Sequence, residues 1–440
     1  MYLSLSDWTS RKAAAPRNRA SHVAFKASPT VIALGIVSML TDISSESVAA
    51  VLPLYITGAL GLSMVAYGFF EGMNQSISAL VRIGAGYTAD RGNRPKPVAV
   101  AGYGLSMLAR VGLLFAGGFA AITAVVGVDR IGKGIRTAPR DAMIQQASQP
   151  EHLARSFGLH RLLDTVGATI GPLLAFVVLL LVPDGYRLVF VVSLAAAVLG
   201  VAVLALLVPN RRLHGGPSAE DSSLEQRLSA AKLPQHRQTA PPRPRLRSLA
   251  RGPLGRVLVA AGILGLLTVG DGFVYLALME HGRMHTQWFP LLFVGSNVVF
   301  LVLAIPLGRI ADRTSRAGVF VLGHLALALA YLCAGSGGSL AFILLSLALL
   351  GTFYAATDGV LAALAGQLSP AGSTSTGIAA AQTVVAVARL LASTGFGALW
   401  IVFGSTTAMI AACVTLVLLV PVAWVLLMRS ERVRRAREVS

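Results

Sequence analysis

Runs of roughly 20 or more mainly apolar residues, the length that crosses ~30 Å of hydrocarbon, recur along the whole chain between short charged or Gly/Pro-marked turns. They predict six spans at 30–56, 62–86, 97–117, 119–147, 157–182 and 187–208, and six more at 257–279, 287–310, 317–336, 340–366, 375–402 and 405–428. Between the two sets, residues 209–256 are rich in Pro, Ser, Gln and Arg and read as a poorly ordered linker. The predicted organisation is an N-terminal segment (1–29), a six-helix bundle (30–208), a basic linker (209–256), a second six-helix bundle (257–428) and a tail (429–440). With 55% hydrophobic and 13% charged residues over 440 positions, a water-soluble class is excluded. The expected fold is an all-α integral membrane protein with 12 transmembrane helices in two pseudo-symmetric bundles.

Charge sets the orientation. Arg11, Lys12, Arg17, Arg19 and Lys26 precede the first span, the linker holds ten Lys/Arg against Glu220, Asp221 and Glu225, and Arg429, Arg432, Arg434, Arg435 and Arg437 follow the last span. Cytoplasmic segments carry such an excess, so both termini are expected in the cytoplasm and the chain in the inner (plasma) membrane. The net charge of +18 is then mostly topological. The run Pro241-Pro-Arg-Pro-Arg-Leu-Arg247 reads as a juxtamembrane segment on anionic lipid headgroups, not as a nucleic-acid arm. No secretory cleavage site follows the basic start. Cys333 and Cys413 fall inside spans and read as small packing residues, with no disulfide or metal site implied.

Gly86-Tyr-Thr-Ala-Asp90-Arg91-Gly-Asn-Arg94 returns as Gly308-Arg-Ile-Ala-Asp312-Arg313-Thr-Ser-Arg316, and Arg161-Leu-Leu-Asp-Thr-Val-Gly167 aligns at a similar offset with Arg389-Leu-Leu-Ala-Ser-Thr-Gly395. The chain is therefore an internal duplication, the construction of carriers whose halves rock about a midplane site. On these motifs it resembles the major facilitator superfamily of secondary transporters over essentially its whole length. The first motif follows the family's Gly-x-x-x-Asp-Arg-x-Gly-Arg pattern except that Asn93 replaces Gly; Arg130-Ile-Gly-Lys-Gly134 is similar to its Arg-x-x-x-Gly motif. Gly167-Ala-Thr-Ile-Gly171-Pro172 resembles the antiporter motif, with Ala175 at a position usually held by Gly. The resemblance implies a bacterial membrane carrier acting as a monomer, in which Asp90, Arg91 and Arg94, with Arg140 as a partner, hold a cytoplasmic gate shut. Gly86, Gly308, Asp312, Arg313 and Arg316 complete that gate. Gly167, Gly171 and Pro172 allow close helix approach and a bend whatever the substrate.

Ionisable groups inside spans are costly unless they face a partner or a wet cavity. Span two carries Glu71, Asn74, Gln75, Ser78 and Arg82 on one stripe, span one adds Asp42, Ser45 and Glu46, and span four adds Asp129, Arg130, Lys133, Arg136, Arg140 and Asp141. A central cavity lined from spans one, two and four is expected. The second half offers Asp271 and Tyr275 in span seven, Asn297 in span eight, Tyr354 and Asp358 in span ten, and Arg389 in span eleven. No nucleophile and base set, metal-ligand spacing or phosphate loop is present, so no enzyme, metal or cofactor is expected.

Asp164 lies three residues after Arg161 and three before Gly167. It reads either as a proton-coupling carboxylate, whose proton affinity depends on its partner in each state, or as half of a fixed pair with Arg161. Asp42, Glu46 and Glu71 are competing proton sites, or else structural partners of Arg130 or Arg136. The leading reading is export of a small molecule by proton antiport. Proton-coupled uptake of a small anionic metabolite is the alternative, since Lys133, Arg136 and Arg140 share a face. A membrane sensor or lipid-handling protein is the third. Asp90→Asn is expected to leave the folded protein in the membrane but to impair cycling; transport at the native rate by that variant would remove Asp90 from the gate.

Overall fold

A computed structural model describes residues 28–89, 95–149, 152–210, 252–369 and 374–439. The helices of the first half are α1 (Pro29–Leu54), α2 (Met64–Ala89), α3 (Pro95–Phe115), α4 (Phe119–Gln146), α5 (Leu153–Leu181) and α6 (Tyr186–Leu207). Those of the second half are α7 (Pro253–Leu266), α8 (Asp271–Gly282), α9 (Phe289–Arg313), α10 (Arg316–Ser336), α11 (Leu340–Leu368) and α12 (Thr374–Val439). Among the described residues, nine helical segments are long and apolar enough to cross a membrane. The helices α2 and α4 have the length but are more polar, and α12 holds two limbs separated by a kink at Gly404, whose φ of 78° is open to glycine. The other three crossings of the sequence plan rest on α2, α4 and the second limb of α12.

Two elements differ from the plan. Span seven is two helices, α7 and α8, with residues 267–270 unwound between them. Tyr331 of α10 satisfies the break: its hydroxyl accepts from the Val269 amide at 2.8 Å and donates to the Leu267 carbonyl at 3.2 Å. Free backbone groups are intolerable in hydrocarbon, and a neighbouring side chain is one permitted remedy. The expected tail is also helical, since α12 continues to Val439.

Packing repeats in the two halves. In the first, α1 packs on α5 and α6, α3 on α4 and α6, and α2 on α4; in the second, α7 packs on α12, α10 on α11 and α12, and α9 on α11. The halves meet through α2 against the first limb of α12 and through α5 against α9. In span numbers these are two with eleven and five with eight, and exchanging the halves converts one pair into the other. The duplicated sequence thus closes on itself as a pseudo-twofold pair.

Small residues set the closest seams. Gly167 of α5 lies against the Met39 backbone, and a Cβ on Gly171 would stand 2.8 Å from the Ser47 amide nitrogen. Between α3 and α4, a Cβ on Gly102 would stand 2.9 Å from the Arg136 nitrogen, and one on Gly132 would stand 2.7 Å from the Gly102 carbonyl oxygen. Glycine lets backbones approach where lipid offers no competing hydrophobic drive. Pro172 is carried within the continuous α5. Gly395, the repeat counterpart of Gly167, has open space where a Cβ would stand.

These seams make a paired prediction. Gly171→Val should overpack the α1/α5 contact and destabilise the protein by about 1–3 kcal/mol, read as a lower melting temperature of detergent-purified protein. Gly395→Ala should melt with the native chain, and equal melting of all three proteins would refute the close approach.

Candidate functional site

Antiparallel crossing gives the bundle two ends. The start of α1, the end of α9 and the end of α12 share one, called here the terminal end; Gly404 and the turn before α9 share the other. A cavity of about 730 Å³ is lined, among the described residues, by α7, α9, α10, α11, the first limb of α12 and Arg161 of α5. Its lining runs from Thr268 beside the break in span seven to Asp312 and Arg316 at the terminal end. At the opposite end the halves are in contact. Phe176 of α5 packs on Trp288 with ring centroids 5.3 Å apart. On the other side, Gly397 lies against the Met64 backbone, and nearer the middle of that seam Ser76 donates to the Ala386 carbonyl at 2.7 Å.

Span four, expected on the wall of a central cavity, does not line this one among the described residues, because its charges are taken up inside the first half. Arg110 of α3 pairs with Asp129 at 3.1 Å and donates to Ser44 at 3.3 Å, and Arg130 approaches the same carboxylate at 3.6 Å. Arg136 stacks over the Tyr103 ring at 4.5 Å, and Lys133 meets Glu46 at 3.9 Å, so Glu46 is partnered by neither Arg130 nor Arg136. The space at this cluster is about 10 Å³, about the least that holds one water. Buried charges survive in such a place only when paired and hydrogen-bonded.

A second network joins α1, α4 and α5 toward the terminal end. Arg140 pairs with its neighbour Asp141 at 3.0 Å and donates to Ser38 at 3.2 Å. Ser38 in turn donates to Asp164 at 3.0 Å. Asp164 also pairs with Arg161 at 3.2 Å, and Asp42 lies buried on α1 one turn on from Ser38. His160 is buried beside them, its Nε2 without a partner among the described residues.

At the interface of the halves, Tyr67 donates to Glu71 at 3.3 Å, and Glu71 abuts Gly270 in the break of span seven. Asp271, at the start of α8, accepts from Tyr354 at 2.5 Å, and Tyr275 shares a 2.5 Å bond with Ser296. A carboxylate at a helix N-terminus is favourably placed against the helix dipole. Asn74 Oδ1 is buried without a partner among the described residues.

Tyr354, Asp358 and Arg389 line the large cavity, with the Arg389 guanidinium 6.0 Å and 5.9 Å from the Phe353 and Tyr354 ring centroids. Asn297 is exposed, one turn from the cavity-lining Phe300 and outside the lining itself. Asp312 pairs with Arg316 at 2.6 Å across the turn from α9 to α10, Gly308 lines the cavity one turn earlier, and Arg313 is exposed. Gly86 lies near the end of α2; Asp90, Arg91, Arg94 and the side chain of Gln75 are outside the described residues.

Sequence reasoning missed Arg110, Ser38, His324 and Tyr331. Arg110 was visible by the rule applied to span four, being an arginine within an apolar span. His324, between the rings of Phe320 and Phe353 on the cavity wall, carried the same signal. Ser38 and Tyr331 carry no local signal, since their roles come from neighbours distant in sequence.

A family model described as Major Facilitator Superfamily matches residues 34–393. The chain is 27% identical over 401 residues to an uncharacterized MFS-type transporter of Methanocaldococcus jannaschii, covering 88% of this chain and 94% of that protein. It is 30% identical over 195 residues to an uncharacterized protein of Mycobacterium tuberculosis, covering 43% of this chain and 46% of that one. Among solved structures, the nucleoside transporter NupG superposes with a TM-score of 0.75 at 12% identity, covering 90% of this chain and 99% of that one. A bacterial homologue of the human lysosomal transporter Spinster, in an inward-facing and unoccupied conformation, superposes at 0.71 with 16% identity, covering 91% and 97%. At those identities the likeness is one of fold.

Removing one member of the Arg110–Asp129 pair strands the other. Arg110→Leu and Asp129→Leu should each destabilise the protein by about 3–5 kcal/mol, while the double substitution should recover most of that loss. Thermal melting in detergent reads the cycle, and strictly additive single losses would show that the two charges do not depend on each other.

Proposed function

The chain belongs to the major facilitator superfamily of membrane transporters, and on that premise we propose that it works by alternating access, exporting a small molecule in exchange for protons. The observation that carries this reading is the large cavity, lined among the described residues by the second half and by Arg161 of the first, which reaches Asp312 and Arg316 at the terminal end while Phe176–Trp288 and Met64–Gly397 close the other end. The excess of Lys and Arg flanking the spans at the terminal end supports a cytoplasmic placement of that end in the inner membrane. In this orientation the cavity faces the cytoplasm. The α2/α12 and α5/α9 contacts are then the surfaces on which the halves rock.

Proton coupling is assigned to Asp42 and Asp164. Asp42 is buried on α1, and Arg161 reaches Asp164 from the cavity lining. A proton gained or lost there changes the charge beside Arg161, and so changes a group the substrate meets. On the same reading Asp312 with Arg316, and Asp90 with Arg91, Arg94 and Arg140, form the cytoplasmic gate of the closed state. Glu71, held by Tyr67, and Glu46, held by Lys133, are structural. The transporter acts as a monomer with a small-molecule substrate and protons.

Proton-coupled uptake of an anion is the second reading, favoured by Arg161, Arg316 and Arg389 in the cavity wall.

The test is proton flux in inside-out vesicles with an imposed pH gradient, challenged with lipophilic cations, zwitterions and organic anions. At least one compound should collapse the gradient with the native chain, and Asp164→Asn should reduce that flux at least tenfold while remaining in the membrane. Collapse by no compound would overturn antiport, and native flux in Asp164→Asn would move the proton to another carboxylate.

A further inference from the structure

Arg136 of α4 is buried, with 5% of its surface exposed, yet among the described residues it makes no hydrogen bond and has no carboxylate within ion-pair distance. Its guanidinium lies over the Tyr103 ring at 4.5 Å. A ring face attracts the charge but leaves the N–H donors of the guanidinium to find other acceptors. A buried arginine in that condition is costly, because its charge and its donors have both left water.

The neighbours of Arg136 add to the cost. The small space at this cluster is lined by Arg110, Lys133 and Arg136, with Asp129 as the carboxylate in its wall. Arg110 commits Nε to Ser44 and Nη2 to Asp129, which leaves Nη1 over. Lys133 stands 3.9 Å from Glu46, beyond hydrogen-bond reach. Arg130 shares Asp129 with Arg110, and Asp42 on α1 acts on both Lys133 and Arg136. With Glu46 and Asp42 both counted as ionised, four cations here face three carboxylates, so positive charge is in excess. The second network cannot supply the balance, since its Arg140 and Arg161 already match Asp141 and Asp164.

The size of the space limits what can answer this excess. At about 10 Å³ it holds one water-sized sphere. A metabolite carboxylate or a phosphate is too large, whereas a monatomic anion enters with small shifts of the flexible Lys133 stem. Water would satisfy the donors and leave the charge; an anion answers both. Thr41 and Ser45 add hydroxyls to the same wall.

We infer that the pocket between α1, α3 and α4 binds one halide-sized anion, held by Arg136, Lys133 and Nη1 of Arg110. The site lies in the first half and outside the lining of the large cavity. Its ion is therefore part of the scaffold and not the cargo, whichever way the carrier runs.

The experiment follows thermal melting of the purified full-length chain at constant ionic strength while sodium gluconate is replaced by chloride, bromide or acetate. Chloride and bromide should each raise the melting temperature saturably by several degrees, as a ligand of the folded chain alone must, and acetate should not. Arg136→Gln should abolish the halide-dependent rise and melt no lower than the native chain in gluconate. An arginine needed only for packing would lower melting equally in every salt. Should Arg136→Gln fail to fold, Lys133→Gln should raise the half-saturating chloride concentration roughly tenfold, the loss of one charge-assisted contact.

Equal melting of the native chain in all four salts, a saturable rise with acetate that matches chloride, or a halide response unchanged in the variant that folds would overturn the inference. None of these outcomes depends on proton flux, so the anion site and the antiport reading fail separately.

Discussion

Moving an ion from water into hydrocarbon costs several kcal/mol even after the bilayer adjusts, and the described spans answer that cost in different ways in their two halves. The first half pairs its charges internally. Arg110, Asp129 and Arg130 neutralise one another, Lys133 takes Glu46, and Asp164 collects Ser38 and Arg161. The second half carries fewer charges and turns them toward space, with Asp358, Arg389, Asp312 and Arg316 on the cavity wall. Each solution depends on the glycine seams, because polar groups meet only where backbones come close enough for short side chains to reach.

Span positions were legible in the sequence because hydrocarbon thickness imposes a length that few other constraints imitate. The duplication was legible for a similar reason, as two copies of a charged turn stand out against an apolar background. The break in span seven was not. Gly265, Gly270 and Gly272 flank it, but glycine is common in membrane helices, and the feature that makes the break tolerable is a hydroxyl on α10.

Site residues divide along the same line. Helical period identified Asp129, Lys133, Arg136 and Arg140 as embedded, and placed Tyr354 and Asp358 on one span. It gives the face of a helix but not the neighbour of that face. Span four was therefore expected at the central cavity, whereas its charges meet Arg110 and Tyr103 on α3 across the Gly102/Gly132 seam. Glu46 illustrates the same limit, having Lys133 as its partner where Arg130 or Arg136 was expected.

The break in span seven has one more consequence. Two of its backbone groups, the Val269 amide and the Leu267 carbonyl, end on the single hydroxyl of Tyr331, so the joint is latched by a neighbour as well as by its own coil. A latch of this kind ties α8 to α10 mechanically: a tilt of one helix must either carry the other along or open two buried hydrogen bonds together. Span seven thus behaves as a two-piece lever with its pivot fixed in the adjacent helix, and the stiffness of that lever is a property of α10.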